Sequence, residues 1–223
     1  MEQLSSLIRR ALDDMRVYQG RLLRDPAVAQ VSLAGVPHAL VPTRVLAQAF
    51  PEALQDLVGA DCAPLVMYRL GHLIGQTQAA AFFAERAIDP TDLPYRVLTG
   101  PFHIAWAGYA DVDLLVWEPH ADGRFAVLWE SDNSCCAREV ARKHRRTRAC
   151  HLPAGYSAGW CTEATGLPLE TCELACRVEG VGHCRFLVGH AAHMHERVLD
   201  PRFHQPTDRY TITPARTVAP MPA

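Results

Sequence analysis

The chain has 223 residues, 49% of them hydrophobic, enough to bury a sizeable core as one domain. Its 22 Lys and Arg nearly balance its 24 Asp and Glu, and a net charge of −2 gives no general electrostatic case for nucleic acid or a membrane surface. The opening MEQLSSLIRRALDDMRVYQG lacks the apolar centre of a signal peptide and no later run approaches a membrane span, so the eight cysteines are expected in the cytoplasm, as thiols for metal or packing.

Leu4, Leu7, Ile8, Ala11 and Met15 recur at helical spacing and predict an amphipathic helix over 3–18. Its apolar face must cover its own domain or a second copy. A loop with Gly35, Pro37 and Pro42 follows. Thr43 then opens a helix through Val45 to Gly59, which Pro51 bends or breaks. A third helix spans about 64–87, where Gly71 and Gly75, four apart, allow a close helix crossing. From Leu98 the period changes, and 103–106, 112–117 and 125–129 read as strands, with a hairpin turn over 119–123. A helix through Cys135, Ala137, Val140 and His144 ends in the basic run Lys143–Arg148, a solvated helix end. Further expectations are a helix over 153–165 stopped by Gly166, strands over 169–179 and 184–189, and a short helix bearing His190, His193, His195 and Arg197. Residues 1–95 thus read as the helical part of the domain, 96–198 as its ligand- and metal-binding part, and 199–223 as a Pro-rich tail.

The densest chemistry lies between Cys150 and Cys184. Cys150, Glu173, Cys176 and Cys184 read as one zinc site, since zinc takes four ligands in a tetrahedron, mostly thiolate or imidazole and sometimes carboxylate. Cys176 and Cys184 stand eight apart, a spacing that suits a hairpin turning at Gly180 and Gly182. His151, Cys161, Cys172 and His183 compete as ligands, and burial as plain hydrophobes is the alternative for the cysteines. Four protein ligands leave no position for water, which marks a structural rather than a catalytic metal. No phosphate-binding loop, dinucleotide fingerprint or nucleophile elbow is present. Phe102, Trp106, Val127, Trp129, Tyr156 and Trp160 are candidates for the lining of an apolar ligand pocket.

The run G-Y-S-A-G-W at 155–160, G-L-P at 166–168, E-x-x-C-x-x-x-G at 173–180 and H-C-R-F at 183–186 resembles the vinyl-4-reductase domain family. Within it, the likeness is to the aromatic-sensing N-terminal domains of sigma-54-dependent activators, over roughly residues 97–190. The resemblance implies an α+β fold like that of TRAPP subunits: an antiparallel sheet packed with helices and a zinc-stapled hairpin. It implies zinc on Cys150, Glu173, Cys176 and Cys184, and a sensor of a small apolar or aromatic ligand. It also implies a homodimer, with an attached or partner ATPase and DNA-binding protein as output, no direct nucleic-acid contact and no membrane. His103 and Trp129 would hold a phenolic hydroxyl, the alternative being a core His and a core Trp with internal partners. The family follows that Trp with Asn-Ser-aromatic-Glu, whereas here Asn133-Ser134 comes late and leads into Cys135-Cys136, so the ligand need not be a phenol. The chain is either a sensor segment of a longer activator or a free-standing relative. A tetrapyrrole-handling protein, with no cofactor fingerprint of its own, and a TRAPP-like adaptor are the other functions the resemblance implies.

Overall fold

The structure is a computed structural model and describes residues 2–142, 148–206 and 209–211. Helix α1 (Glu2–Gln19) buries Ala11, Met15 and Tyr18. That face lies on α4 (Leu93–Trp106), so the amphipathic helix covers its own domain. Two ion pairs reinforce the contact from the polar side. Arg10 reaches Asp92 at 2.6 Å and Arg86 reaches Asp14 at 2.6 Å, while the Tyr95 hydroxyl donates to Asp14.

The loop expected around Gly35 and Pro37 is instead a three-stranded antiparallel meander of β1 (Leu22–Asp25), β2 (Gln30–Leu33) and β3 (Val36–His38). Ala34 and Gly35 connect β2 to β3, both with positive φ, 49° and 81°. That is the backbone twist a two-residue hairpin needs, and Ala34 hides the signal that an Asn-Gly pair would have displayed. Pro37 sits on the outer strand, where its missing N–H breaks no ladder. The next helix begins with a π turn, Val45–Ala49, before α2 (Phe50–Val58). The junction falls at Pro51, which cannot donate to the preceding turn.

Helix α3 (Cys62–Glu85) packs on α6 (His151–Thr165), and four glycines make the crossing. A Cβ placed on Gly71 would lie 2.2 Å from the Leu152 carbonyl oxygen, and one on Gly75 would lie 2.2 Å from that of Tyr156. From the other side, Gly155 faces the Tyr68 carbonyl oxygen at 1.9 Å and Gly159 that of His72 at 2.0 Å by the same measure. The helices meet backbone to backbone.

One expectation is overturned at 103–106. The segment is the last turn of α4, not a strand. Its apolar residues run without a clear period, and Gly100-Pro101 imitates a break. Pro94 starts the helix, where no N–H is needed, and Pro101 stays within it at the loss of one ladder bond. His103 therefore belongs to a helix that packs on α6 and α1.

The sheet has the order β6-β7-β5-β4-β8, from β4 (Asp113–Glu118), β5 (Ala126–Ser131), β6 (Leu169–Ala175), β7 (Cys184–His190) and β8 (Tyr210–Thr211), with every pair antiparallel. All six residues of β5 are buried. Val127 and Trp129 join the main core with the helices. Ala126 and Leu128 join a smaller core with Leu115, Leu187 and Phe203. The start of the expected tail is thus part of the domain, since Phe203 is fully buried and β8 pairs with β4. The prolines at 214, 220 and 222, and the basic run apart from Arg148, lie outside the described residues. Short helices α5 (Cys135–Ala141) and α7 (Met194–Arg197) complete the chain. No described helix is long and apolar enough to cross a membrane.

Candidate metal centre and aromatic cavity

Cys150, Glu173, Cys176 and Cys184 converge, with one ligand atom from each lying within 4.8 Å of all the others. Cys150 caps the N-terminal end of α6, Glu173 is on β6, Cys176 follows that strand, and Cys184 opens β7. Residues three apart on a regular strand point to opposite faces, which would separate Glu173 from Cys176. The pairing with β7 shifts register between Glu173 and Ala175, and this irregularity turns Cys176 back toward Glu173. A 3₁₀ turn over Arg177–Glu179, closed by Gly180 at φ 98°, then returns the chain to Cys184. Of the two glycines expected to turn there, only Gly180 has a backbone that disfavours other residues.

The sulfurs of Cys150 and Cys176 lie 3.6 and 4.0 Å from that of Cys184. A tetrahedral ion bound to thiolates at ~2.3 Å spaces them by about 3.8 Å. All three cysteines are 0% exposed, and both carboxylate oxygens of Glu173 are buried without a hydrogen-bond partner. Burial, with the neighbouring Cys176, pushes the Glu173 carboxyl up to about 9. A buried carboxylate among thiolates is costly unless a cation joins it, so this cluster can hold a metal ion. Ser134 Oγ sits 3.1 Å from Cys150 Sγ, and the Arg177 backbone N–H donates to Cys184 Sγ at 3.4 Å. Such outer contacts orient thiolates, and spacing alone carried no signal for Ser134. The competing residues stay outside the group. His183 instead faces Glu130 at 3.1 Å, and Cys172 sits within β6 opposite Leu187.

Beside this centre, α4, α6 and the sheet enclose a small cavity of about 20 Å³. Val127, Trp129, Tyr156 and Trp160 line it. Phe102 is buried elsewhere in the core and Trp106 lies edge-on to His103, so neither reaches the lining. Val97, Gly100, Ile104, Val112, Cys161 and Val188 do. Ile104 was hidden by the strand reading of the C-terminal turn of α4. Trp129 stacks on Phe186 with ring centres 4.1 Å apart. His103 lies behind the wall, fully buried, with the Tyr156 hydroxyl 2.7 Å from its Nδ1. Its Nε2 is buried with no partner. Burial, helped by the charge of His38, pushes its pKa down to about 3, so the ring is neutral. A space of ~20 Å³ admits about one water and is far below the ~150 Å³ that accepts benzene, so an aromatic ring enters only as the surrounding side chains turn outward.

No protein-family profile and no curated protein matches this chain. Among solved structures, one match is a subunit 3 of a trafficking protein particle complex from Naegleria fowleri covalently bound to palmitic acid. It is 10% identical, with a TM-score of 0.44, over 66% of this chain and 93% of that one. Another is the phenol-responsive sensory domain of the transcription activator PoxR, solved with phenol, at 21% identity and a TM-score of 0.72. The alignment covers 87% of this chain and 96% of that domain, so the α+β fold described above is one that this chain shares with the PoxR sensory domain.

Proposed function

We propose that this chain is a small-molecule sensor domain that closes over an aromatic or similar apolar ligand and contains a structural zinc ion. The observation that carries the reading is the apolar cavity walled by Val127, Trp129, Tyr156 and Trp160, backed by the buried His103–Tyr156 pair. The fold shared with a domain described as phenol-responsive supports it. In this reading the ring of the ligand displaces Trp129 and its neighbours outward. A hydroxyl on it then takes the Trp129 N–H and the vacant nitrogen of His103. The indole only donates, whereas neutral imidazole does either, so the two can hold one hydroxyl between them.

Zinc is the metal that a Cys3Glu set suits best, and four protein ligands close its coordination. When bound it supplies charge neutralisation and a cross-link between α6, β6 and β7. The eight free thiols suit a reducing compartment, the cytoplasm. Because the apolar stripe of α1 is spent on α4, the support for a homodimer comes from α3, where Leu65 and Leu73, about two turns apart, are 69% and 48% exposed. The output, an ATPase or DNA-binding partner, belongs to the same proposal.

The test is calorimetry with phenol and benzene on wild type and Trp129→Phe. Losing one neutral hydrogen bond, roughly 0.5–1.5 kcal/mol, should weaken phenol by about two- to tenfold and leave benzene nearly unchanged. Equal losses for both would make Trp129 only a wall, and absence of binding by either ligand would overturn the reading.

A further inference from the structure

A second and much larger space opens on another side of the molecule. It measures about 260 Å³ and lies between the π turn, α2 and the start of α3 on one side and α5 with the segment around Cys150 on the other. Its apolar lining includes Leu46, Ala47, Ala63, Met67 and Val140. None of these lines the aromatic cavity. The small alanine walls leave the room, and Met67 is the residue type best able to adapt to a guest. The wide turn over Val45–Ala49 supplies three lining residues in succession, Leu46 to Gln48. Single π turns inside helices concentrate at functional sites. Gln48 is 6% exposed, and its amide nitrogen donates to the Glu139 carbonyl of α5, so the two walls are tied at a fixed separation.

Among the described residues, the charged side chains at the rim, Arg148 and Glu52, already have partners. Arg148 bonds Glu179 at 2.7 Å and also donates to the carbonyls of Glu173 and Leu174, and Glu52 has an interaction of its own. A charged guest would therefore lose hydration with no free counter-charge among the described residues to meet it. The Gln55 amide and the His151 ring stand as hydrogen-bonding groups beside this apolar lining. The volume exceeds the ~150 Å³ that accommodates one benzene ring.

We infer that this cleft is a second small-molecule site, separate from the aromatic cavity, for an uncharged amphiphile larger than one ring and bearing one or two hydrogen-bonding groups. The domain would then answer to two molecules. Ala149 and His151, on either side of Cys150, form part of the cleft wall, so a guest would brace the segment that carries one candidate metal ligand.

The uncharged fluorescent probe N-phenyl-1-naphthylamine tests this on the full chain. Wild type should show a saturable fluorescence rise. Ala63→Leu, which fills the cleft, and Gln55→Trp, which blocks it from an exposed position, should each weaken the probe at least tenfold. Should Ala63→Leu fail to fold, Gln55→Trp decides alone. Absence of a saturable signal in wild type, or unchanged affinity in the folded cleft variants, would each overturn the assignment.

Discussion

Replacing Gly155 by Ala tests whether the α3–α6 contact is a true backbone contact. Two effects of opposite sign compete. Alanine favours the helical state over glycine by about 1 kcal/mol. Against this, the new Cβ would sit 1.9 Å from the Tyr68 carbonyl oxygen and 2.8 Å from its carbon, more than an ångström inside ordinary contact. Neither atom is the end of a flexible side chain, so the helices must separate. A radial gap of ~0.5–1 Å already forfeits a quarter to a half of each contact's attraction, and forcing extra atoms into a packed interior costs about 1–3 kcal/mol or more. Because the same separation also opens the sites at Gly71, Gly75 and Gly159, the cost falls at the upper end, and we expect a net loss of roughly 2 kcal/mol. For a domain of this size that lowers Tm by about 4–8 °C in thermal unfolding followed by circular dichroism. Gly182→Ala is the control, since no atom lies within 4 Å of its Cβ position, and it should stay within about 0.5 kcal/mol of wild type. A Gly155→Ala protein as stable as wild type would refute the reasoning.

The remaining expectations concern metal, charge and assembly. Purified protein should carry about one zinc by elemental analysis; Cys176→Ser and Cys184→Ser should lose it, and exposed Cys62→Ser should keep it. Burial alone would raise the Asp14 pKa, but the Tyr95 hydroxyl and the Arg86 guanidinium outweigh it and hold it below the usual carboxylate range. Its contribution is therefore complete above the unfolded pKa of about 3.9 and fades as pH falls through the lower folded value. Asp14→Asn should cost about 1–2 kcal/mol in urea unfolding at pH 7, and the gap to wild type should narrow as pH falls below the unfolded value; a gap independent of pH would count against the ion pair. Light scattering should give a dimer mass at micromolar concentration, and Leu65→Glu with Leu73→Glu should return a monomer.

What the sequence made legible was whatever local spacing encodes. The amphipathic α1, the glycine pair at 71 and 75, the helix ended by Gly166, and strands β4 and β5 are all local patterns. The four cysteine and glutamate side chains that converge in space were nameable through the family resemblance, since spacing alone left His151, Cys161, Cys172 and His183 in competition. Failures came where one residue masked a geometry. Ala34 takes a positive φ usually reserved for Gly or Asn, so the β2–β3 hairpin read as loop. Pro101 inside α4 imitated a helix break and displaced His103 onto a strand. Phe203 falls in the stretch read as a Pro-rich tail, yet it is buried in the smaller core with Leu115, Leu128 and Leu187, a long-range contact with no local signature.

The glycine crossing also decides which parts of the domain can move. Two helices touching through their backbones have no layer of side chains to slide or re-pack, so α3 and α6 behave as one stiff beam. Tyr156 and Trp160, and Cys150 at the entrance of α6, are mounted on that beam. Room for a ligand in the aromatic cavity has to be made on its opposite walls, by α4 or by the strand that bears Trp129. Trp129 is paired with Leu114, and Leu114 with Tyr210 on the outermost strand. A displacement too large for the cavity is thus directed away from the beam and across three strands, to the edge where β8 is held by a two-residue ladder.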